Sequence, residues 1–119
     1  MQIRKEIYGE IDNRTCSCYQ GIGNVLSEQG RNDDALIGYG KALAIRLKIF
    51  GENHIDIGQT YYNIGLVQLK KGDNDGALVS FRKSNAIFTS ELGEDHWRTV
   101  QTNVNIDFCQ KRIDQSNIA

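Results

Sequence analysis

The sequence predicts an all-α fold of antiparallel helix–turn–helix units in tandem, and three observations carry that prediction. The chain matches itself at a displacement of 42 residues, its apolar residues recur at helical spacing, and glycines stand where such helices must stop. Tyr19, Ile22, Gly23 and Val25 fall on Tyr61, Ile64, Gly65 and Val67, and Gly30, Asn32, Asp33, Ala35 and Leu36 fall on Gly72, Asn74, Asp75, Ala77 and Leu78. About 15 of the 42 aligned positions are identical, where unrelated sequences of ordinary composition agree at about two or three.

The elements follow in order. Ile3, Arg4, Ile7, Gly9 and Glu10 match Ile45, Arg46, Ile49, Gly51 and Glu52, so the first residues correspond to the end of a unit's second helix. A first helix near 15–29 sets Tyr19, Ile22, Gly23 and Leu26 at i, i+3, i+4, i+7 on one stripe, aimed at its partner helix. Gly within that stripe costs about 1 kcal/mol against Ala, which predicts close approach of a neighbouring backbone. Gly30 then takes the left-handed position that ends a helix. The second helix, near 33–50, has Asp33 at its N-terminus and carries Ala35, Leu36, Tyr39, Ala42, Leu43 and Ile45. Gly38 and Gly40 interrupt it at about 1 kcal/mol each.

The next pair repeats the plan. A helix near 56–71 aligns Tyr61, Ile64, Gly65 and Gln68 and places Lys70 and Lys71 at its negative end before Gly72. Another, near 75–92, starts at Asp75, carries Ala77, Leu78, Phe81 and Ile87, and ends at Gly93. A last helix near 98–112 corresponds to a first helix alone. The organisation is a single domain: 1–12 the end of a partial repeat, 13–54 and 55–96 two full repeats, 97–119 the first helix of another partial repeat.

Composition narrows function. Lys plus Arg number 14 against 15 Asp plus Glu, a net charge of −1, which gives no electrostatic case for nucleic acid or an anionic membrane. Mean hydropathy is −0.47, and no apolar run approaches a spanning helix, so membrane insertion and secretion are not indicated. The three cysteines, Cys16, Cys18 and Cys109, form no Cys-x-x-Cys pair and read as reduced thiols in a cytoplasmic protein.

An aromatic, a large aliphatic and a Gly, followed by Gly, Ala, aromatic and Ala at fixed offsets, resembles the tetratricopeptide repeat. Tyr19, Ile22, Gly23, Leu26, Gly30, Ala35, Tyr39 and Ala42 fill that pattern, as do Tyr61, Ile64, Gly65, Gly72, Ala77 and Phe81, while Gln68 and Ser84 depart from it. The 42-residue period and the string from Ala44-Ile45-Arg46 to Phe50-Gly51-Glu52-Asn53-His54 are similar to the kinesin light chain type of this family. The resemblance implies an α-solenoid, a right-handed superhelix whose concave face, lined by the first helices, binds a peptide. Related repeats place Pro after the loop His, where Ile55 and Trp97 stand here, so φ is not locked there.

The groove positions carried over are Ser17, Gln20, Gly21, Asn24 and Glu28, then Gln59, Tyr62, Asn63, Leu66 and Lys70, then Gln101, Asn105 and Phe108. The middle set also keeps helical spacing apart from the Tyr61 stripe. Asn63 and Asn105 stand where the similar repeats grip peptide backbone, a task suited to an amide that both donates and accepts. The alternative is that they are solvated helix residues. Asn24 and Asn63 match the Asn positions of chaperone-binding members that clamp a carboxylate, but Gln20, Gln101 and Asn105 stand where cations are needed. The groove should therefore prefer neutral backbone.

Catalysis is the weakest class. His54 and His96 recur at one loop position as Gly-Glu-x-His and should not converge on a metal or substrate, so they read as loop anchors. No cofactor or metal site is expected, and Gly21-Ile22-Gly23 is a helical fragment explained by the repeat. Two readings remain: a protein or peptide ligand held in the groove, or a homo-oligomer formed through terminal helices that buries Ile3, Ile7, Ile106 and Phe108. The rest of a longer array would supply the same contacts. Trp97 is expected to be buried as a cap on the last helix pair, with contact to a partner as the alternative.

Overall fold

Helix-stop glycines and helical apolar spacing produce five helices: α1 (Gln2–Glu28), α2 (Asn32–Phe50), α3 (Ile55–Lys70), α4 (Asn74–Leu92) and α5 (Trp97–Ile118). The structure, a computed structural model, describes residues 2–118, with side chains described from 14 to 117. Helices adjacent in sequence pack antiparallel, α1 on α2 in one unit (Met1–Glu52) and α3 on α4 on α5 in a second (Asn53–Ala119). Among the described residues no helix is long and apolar enough to cross a membrane.

The stops work as expected. Gly30 and Gly72 have φ of 78° and 82°, a region open to Gly but strained for L side chains. Their hydrogen bonds are of the Schellman kind. Arg31 N–H reaches Leu26 O at 2.8 Å and Gly30 N–H reaches Ser27 O at 3.1 Å, and Asp73 to Gln68 and Gly72 to Leu69 repeat the pattern at 2.9 and 3.0 Å. Asp33 and Asp75 lie in the first turns of α2 and α4, while the cap positions fall two residues earlier. There Asp73 Oδ1 accepts from Gly76 N–H at 2.9 Å, whereas Arg31 offers no capping oxygen.

At the N-terminal end the helix bounds differ from the expectation of a start near 15, since α1 runs from Gln2 to Glu28. Gly9-Glu10 is the register mate of Gly51-Glu52, where α2 stops, so the stop signal is present in α1 and is overridden there. α5 likewise extends beyond the expected 112, to Ile118.

In unit 1 the predicted close approach is real. A Cβ on Gly23 would lie 2.9 Å from the Tyr39 ring, and one on Gly38 would lie 3.2 Å from the Tyr19 carbonyl and 3.5 Å from Gly23 Cα. Gly38 therefore allows α2 to cross α1 at the level of Gly23, while Gly40 meets nothing within 4 Å. Ile22 departs from the stripe and is exposed, because it projects about 100° away from the face that Gly23 turns to α2. The buried hydrophobic side chains among the described residues of this unit are Cys16, Ala35, Tyr39 and Ala42, with Cys16 Sγ–H donating to Ala42 O at 3.1 Å.

In unit 2 a Cβ on Gly65 would lie 2.8 Å from the Phe81 ring and one on Gly58 2.9 Å from Phe88. Ala77, Leu78, Phe81 and Cys109 form a cluster that joins α4 to α5, with Tyr62, Leu69, Ile106 and Ile113 packed on it. Ser84 Oγ–H donates to Gly58 O at 2.8 Å. Ile106 is thus occupied inside the unit and Phe108 stays half exposed, while the side chains of Ile3 and Ile7 lie outside the described residues.

Candidate functional site

Five of the thirteen expected groove positions belong to unit 1; Gly21 and Glu28 are exposed there, and Gln20 and Asn24 are engaged within the unit. Gln20 Oε1 accepts from Arg46 Nη1 at 2.6 Å, a charge-assisted bond on the largely buried Arg46. Asn24 Oδ1 accepts from the Tyr39 hydroxyl. Burial, and secondarily the charge of Glu28, holds the Tyr39 hydroxyl above its ordinary pKa, so it remains a donor to Asn24 at neutral pH.

The other eight belong to unit 2. On α3, Gln59 Nε2 donates to Asn63 Oδ1 at 3.1 Å, one turn apart, which leaves the Asn63 amide hydrogens available as donors. Tyr62 lies edge-on to Phe81, with ring centres 5.5 Å apart and planes at 63°. Its hydroxyl accepts from Asn105 Nδ2 at 3.0 Å, a bond that ties α5 to α3. Leu66 and Lys70 are exposed further along α3.

Gln59, Tyr62 and Gln101 come together with Phe88, Trp97 and Arg98 around a hollow of about 70 Å³. That is well below the several hundred Å³ of a cofactor or drug-sized site, and suits a single side chain. Asn63, Leu66, Lys70 and Asn105 do not line it. Phe88 and Arg98 were not among the expected site residues. Phe88 sits on α4, which the resemblance assigns to packing, and Arg98 sits at the start of α5.

Trp97 corrects the expectation of burial, being 63% exposed. As the first residue of α5 it directly follows a helix cap, and it stacks on the His96 ring at 5.7 Å while the Arg98 guanidinium lies 5.2 Å from its own ring centre. Arg98 Nε is shut off from solvent with no hydrogen-bond partner among the described residues. A buried donor in that condition costs about 1 to 3 kcal/mol and favours any acceptor brought to it.

The two histidines anchor loops in a specific way. His54 Nδ1 accepts from Asp56 N–H and His96 Nδ1 from Arg98 N–H, each at 3.1 Å, so the rings cap the starts of α3 and α5. Among the described residues no group of three His, Cys, Asp or Glu side chains is placed to hold a metal.

No curated protein matches the chain at a significant level. A family model, the tetratricopeptide repeat, matches residues 15–90, a span that takes in the first-helix stripes, the Gly stops and the second helices of both units. With that match over more than half of its length, the chain belongs to the tetratricopeptide repeat family, whose members are in general protein-interaction modules, typically without catalytic activity.

Proposed function

We propose that the chain is a non-catalytic cytoplasmic module of the kinesin light chain-like kind, with full repeats at 13–54 and 55–96. On this reading it holds an extended segment of a partner protein on the α3 and α5 residues of unit 2. The observation that carries it is the hollow beside Tyr62, walled by apolar Phe88 and Trp97 and edged by the donors Gln59, Gln101 and Arg98. One apolar side chain of the partner fills the hollow, and its flanking carbonyls take the Arg98 guanidinium and the Asn63 amide. Three free cysteines, one of them exposed, fit a reducing compartment.

The test is selection from a random-peptide display library, followed by calorimetry on a selected peptide. Asn63→Ala is expected to weaken that peptide by about 1 to 2 kcal/mol, and Arg98→Ala by a comparable amount. Peptides whose affinity is unchanged by both variants would sink the assignment of this face.

A further inference from the structure

α1 carries an exposed apolar strip made by Cys18, Gly21, Ile22, Val25 and Leu26. Ile22 and Val25 are 53% and 52% exposed, and a Cβ on Gly21 would meet nothing within 4 Å. We propose that this strip is a homodimer seam, on which α1 of a second copy packs antiparallel about a two-fold axis at Gly21.

Three features select a second copy as the occupant. Arg14, Cys18, Gly21, Val25 and Glu28 succeed one another at spacings of four, three, four and three, the seam of two helices packed side by side. From Thr15 to Ser27 there is no Lys, Arg, His, Asp or Glu, so pairing desolvates no charge between the two ends of the seam, and Gly21 at the centre lets two backbones approach. The bounding charges are opposite and equidistant. Arg14 lies seven residues before Gly21 and Glu28 seven after, so an antiparallel two-fold sets each Arg14 against the other copy's Glu28, twice. Self-complementarity of this kind is what an isologous interface requires.

The same face is used for helix packing elsewhere in the molecule. Cys18, Ile22 and Val25 correspond, two repeat lengths on, to Thr102, Ile106 and Cys109, where Thr102 and Cys109 are fully buried and Ile106 packs on the α4–α5 core cluster. On α1 that face stays open. A seam from 14 to 28 is about 20 Å of helix, short enough for a reversible dimer of modest affinity. It takes up Gly21 and Glu28, which the family resemblance places in the groove, and involves none of the residues lining the unit 2 hollow.

Light scattering of the full chain across a concentration series tests this. The mass should rise from 13.4 kDa toward twice that value. Arg14→Glu alone and Glu28→Arg alone each set like charges face to face and should weaken the dimer at least about tenfold, and the double swap should restore it to within about threefold. Val25→Glu should leave a monomer with unchanged helical circular dichroism, because Val25 is exposed in the folded chain. A constant mass of 13.4 kDa at every concentration overturns the proposal, and the face then belongs to another protein or to another repeat. A dimer indifferent to the single swaps, or not rescued by the double swap, overturns the antiparallel seam.

Discussion

Where α2 presses Tyr39 onto Gly23 and passes its hydroxyl to Asn24, α4 presses Phe81 onto Gly65 beside Leu66. Asn24 and Leu66 occupy one register position, as do Tyr39 and Phe81, so the hydroxyl and its acceptor are exchanged together for two apolar groups. Arg46 and Gln20 make a polar pair in unit 1, and Phe88 and Tyr62, at the same positions, wall an apolar hollow in unit 2. The contact between residues 26 apart even reverses direction. Cys16 donates to Ala42 O in unit 1, and Ser84, the register mate of Ala42, donates to Gly58 O in unit 2. What stays the same is Gly under an aromatic ring, the left-handed stops, and a lysine over a tyrosine, Lys41 on Tyr19 and Lys83 on Tyr61. The ring seated over a glycine is the fixed quantity, and side-chain chemistry varies around it as long as donors and acceptors change in pairs.

That comparison breaks most visibly at Phe81. It is fully buried and touches Gly65 and Tyr62, so Phe81→Ala should destabilise the chain by about 3 to 5 kcal/mol in urea unfolding followed by circular dichroism. A loss below about 2 kcal/mol would mean that unit 2 does not rest on this ring.

A smaller effect separates the two second helices. Arg31 and Asp73 have the same backbone shape, φ −85°, ψ 68° and φ −83°, ψ 76°, yet only Asp73 caps. Asp73→Ala should cost about 1 kcal/mol, and Arg31→Ser should gain up to about 0.5 kcal/mol, since it supplies a cap but gives up the exposed 2.7 Å pair with Asp34. Thermal melts read both, and a stabilising Asp73→Ala would contradict the capping account.

The smallest change sharpens the polar-for-apolar exchange. Tyr39→Phe alone should cost about 1 kcal/mol or less, and Tyr39→Phe with Asn24→Leu should recover most of it by removing the acceptor that has lost its donor, leaving the two residue types that stand at these register positions in unit 2. The same hydroxyl gives a pH signature. Its folded pKa lies above its unfolded value near 10, so this group's stabilisation is complete below pH 10 and falls as pH rises beyond it. Alkaline titration of the wild type should show a loss starting just above pH 10 that Tyr39→Phe lacks.

The helix pairs were legible in the sequence because a repeat states each constraint twice. Gly23 and Gly65, or Gly30 and Gly72, are hard to read as accidents when they recur in register; Gly30 and Gly72 make the stops they imply, while the close neighbour at both Gly23 and Gly65 is an aromatic ring, with a backbone approach as well only at Gly23, from Gly38. The packing role of Gly38 was hidden because Ser80 stands at the matching position, so no repetition marked it. The loop role of the histidines was also visible, but the capping nitrogen was not, since His is not among the usual capping residues.

Trp97 misled for a related reason. Its type argues for burial, and only the outward direction of a residue just after a cap overrides that. The hollow in unit 2 combines residues from three helices, and periodicity along one helix says nothing about which side chains of the next one meet it.

The two neighbouring thiols of α1 report on different events. Cys18 is exposed in the single chain, while Cys16 is fully buried and donates its S–H to Ala42 O, so at concentrations where the chain is a monomer a thiol reagent modifies Cys18 in the folded state and reaches Cys16 only when unit 1 opens. Cys109 stands guard over unit 2 in the same way, fully buried in the α4–α5 cluster, where burial raises its pKa against the opposing pull of Arg112 and slows reaction further. The chain therefore carries its own chemical clocks, one for each unit with Cys18 as the zero of time, and the ratio of the two slow labelling rates measures which half of the molecule comes apart first.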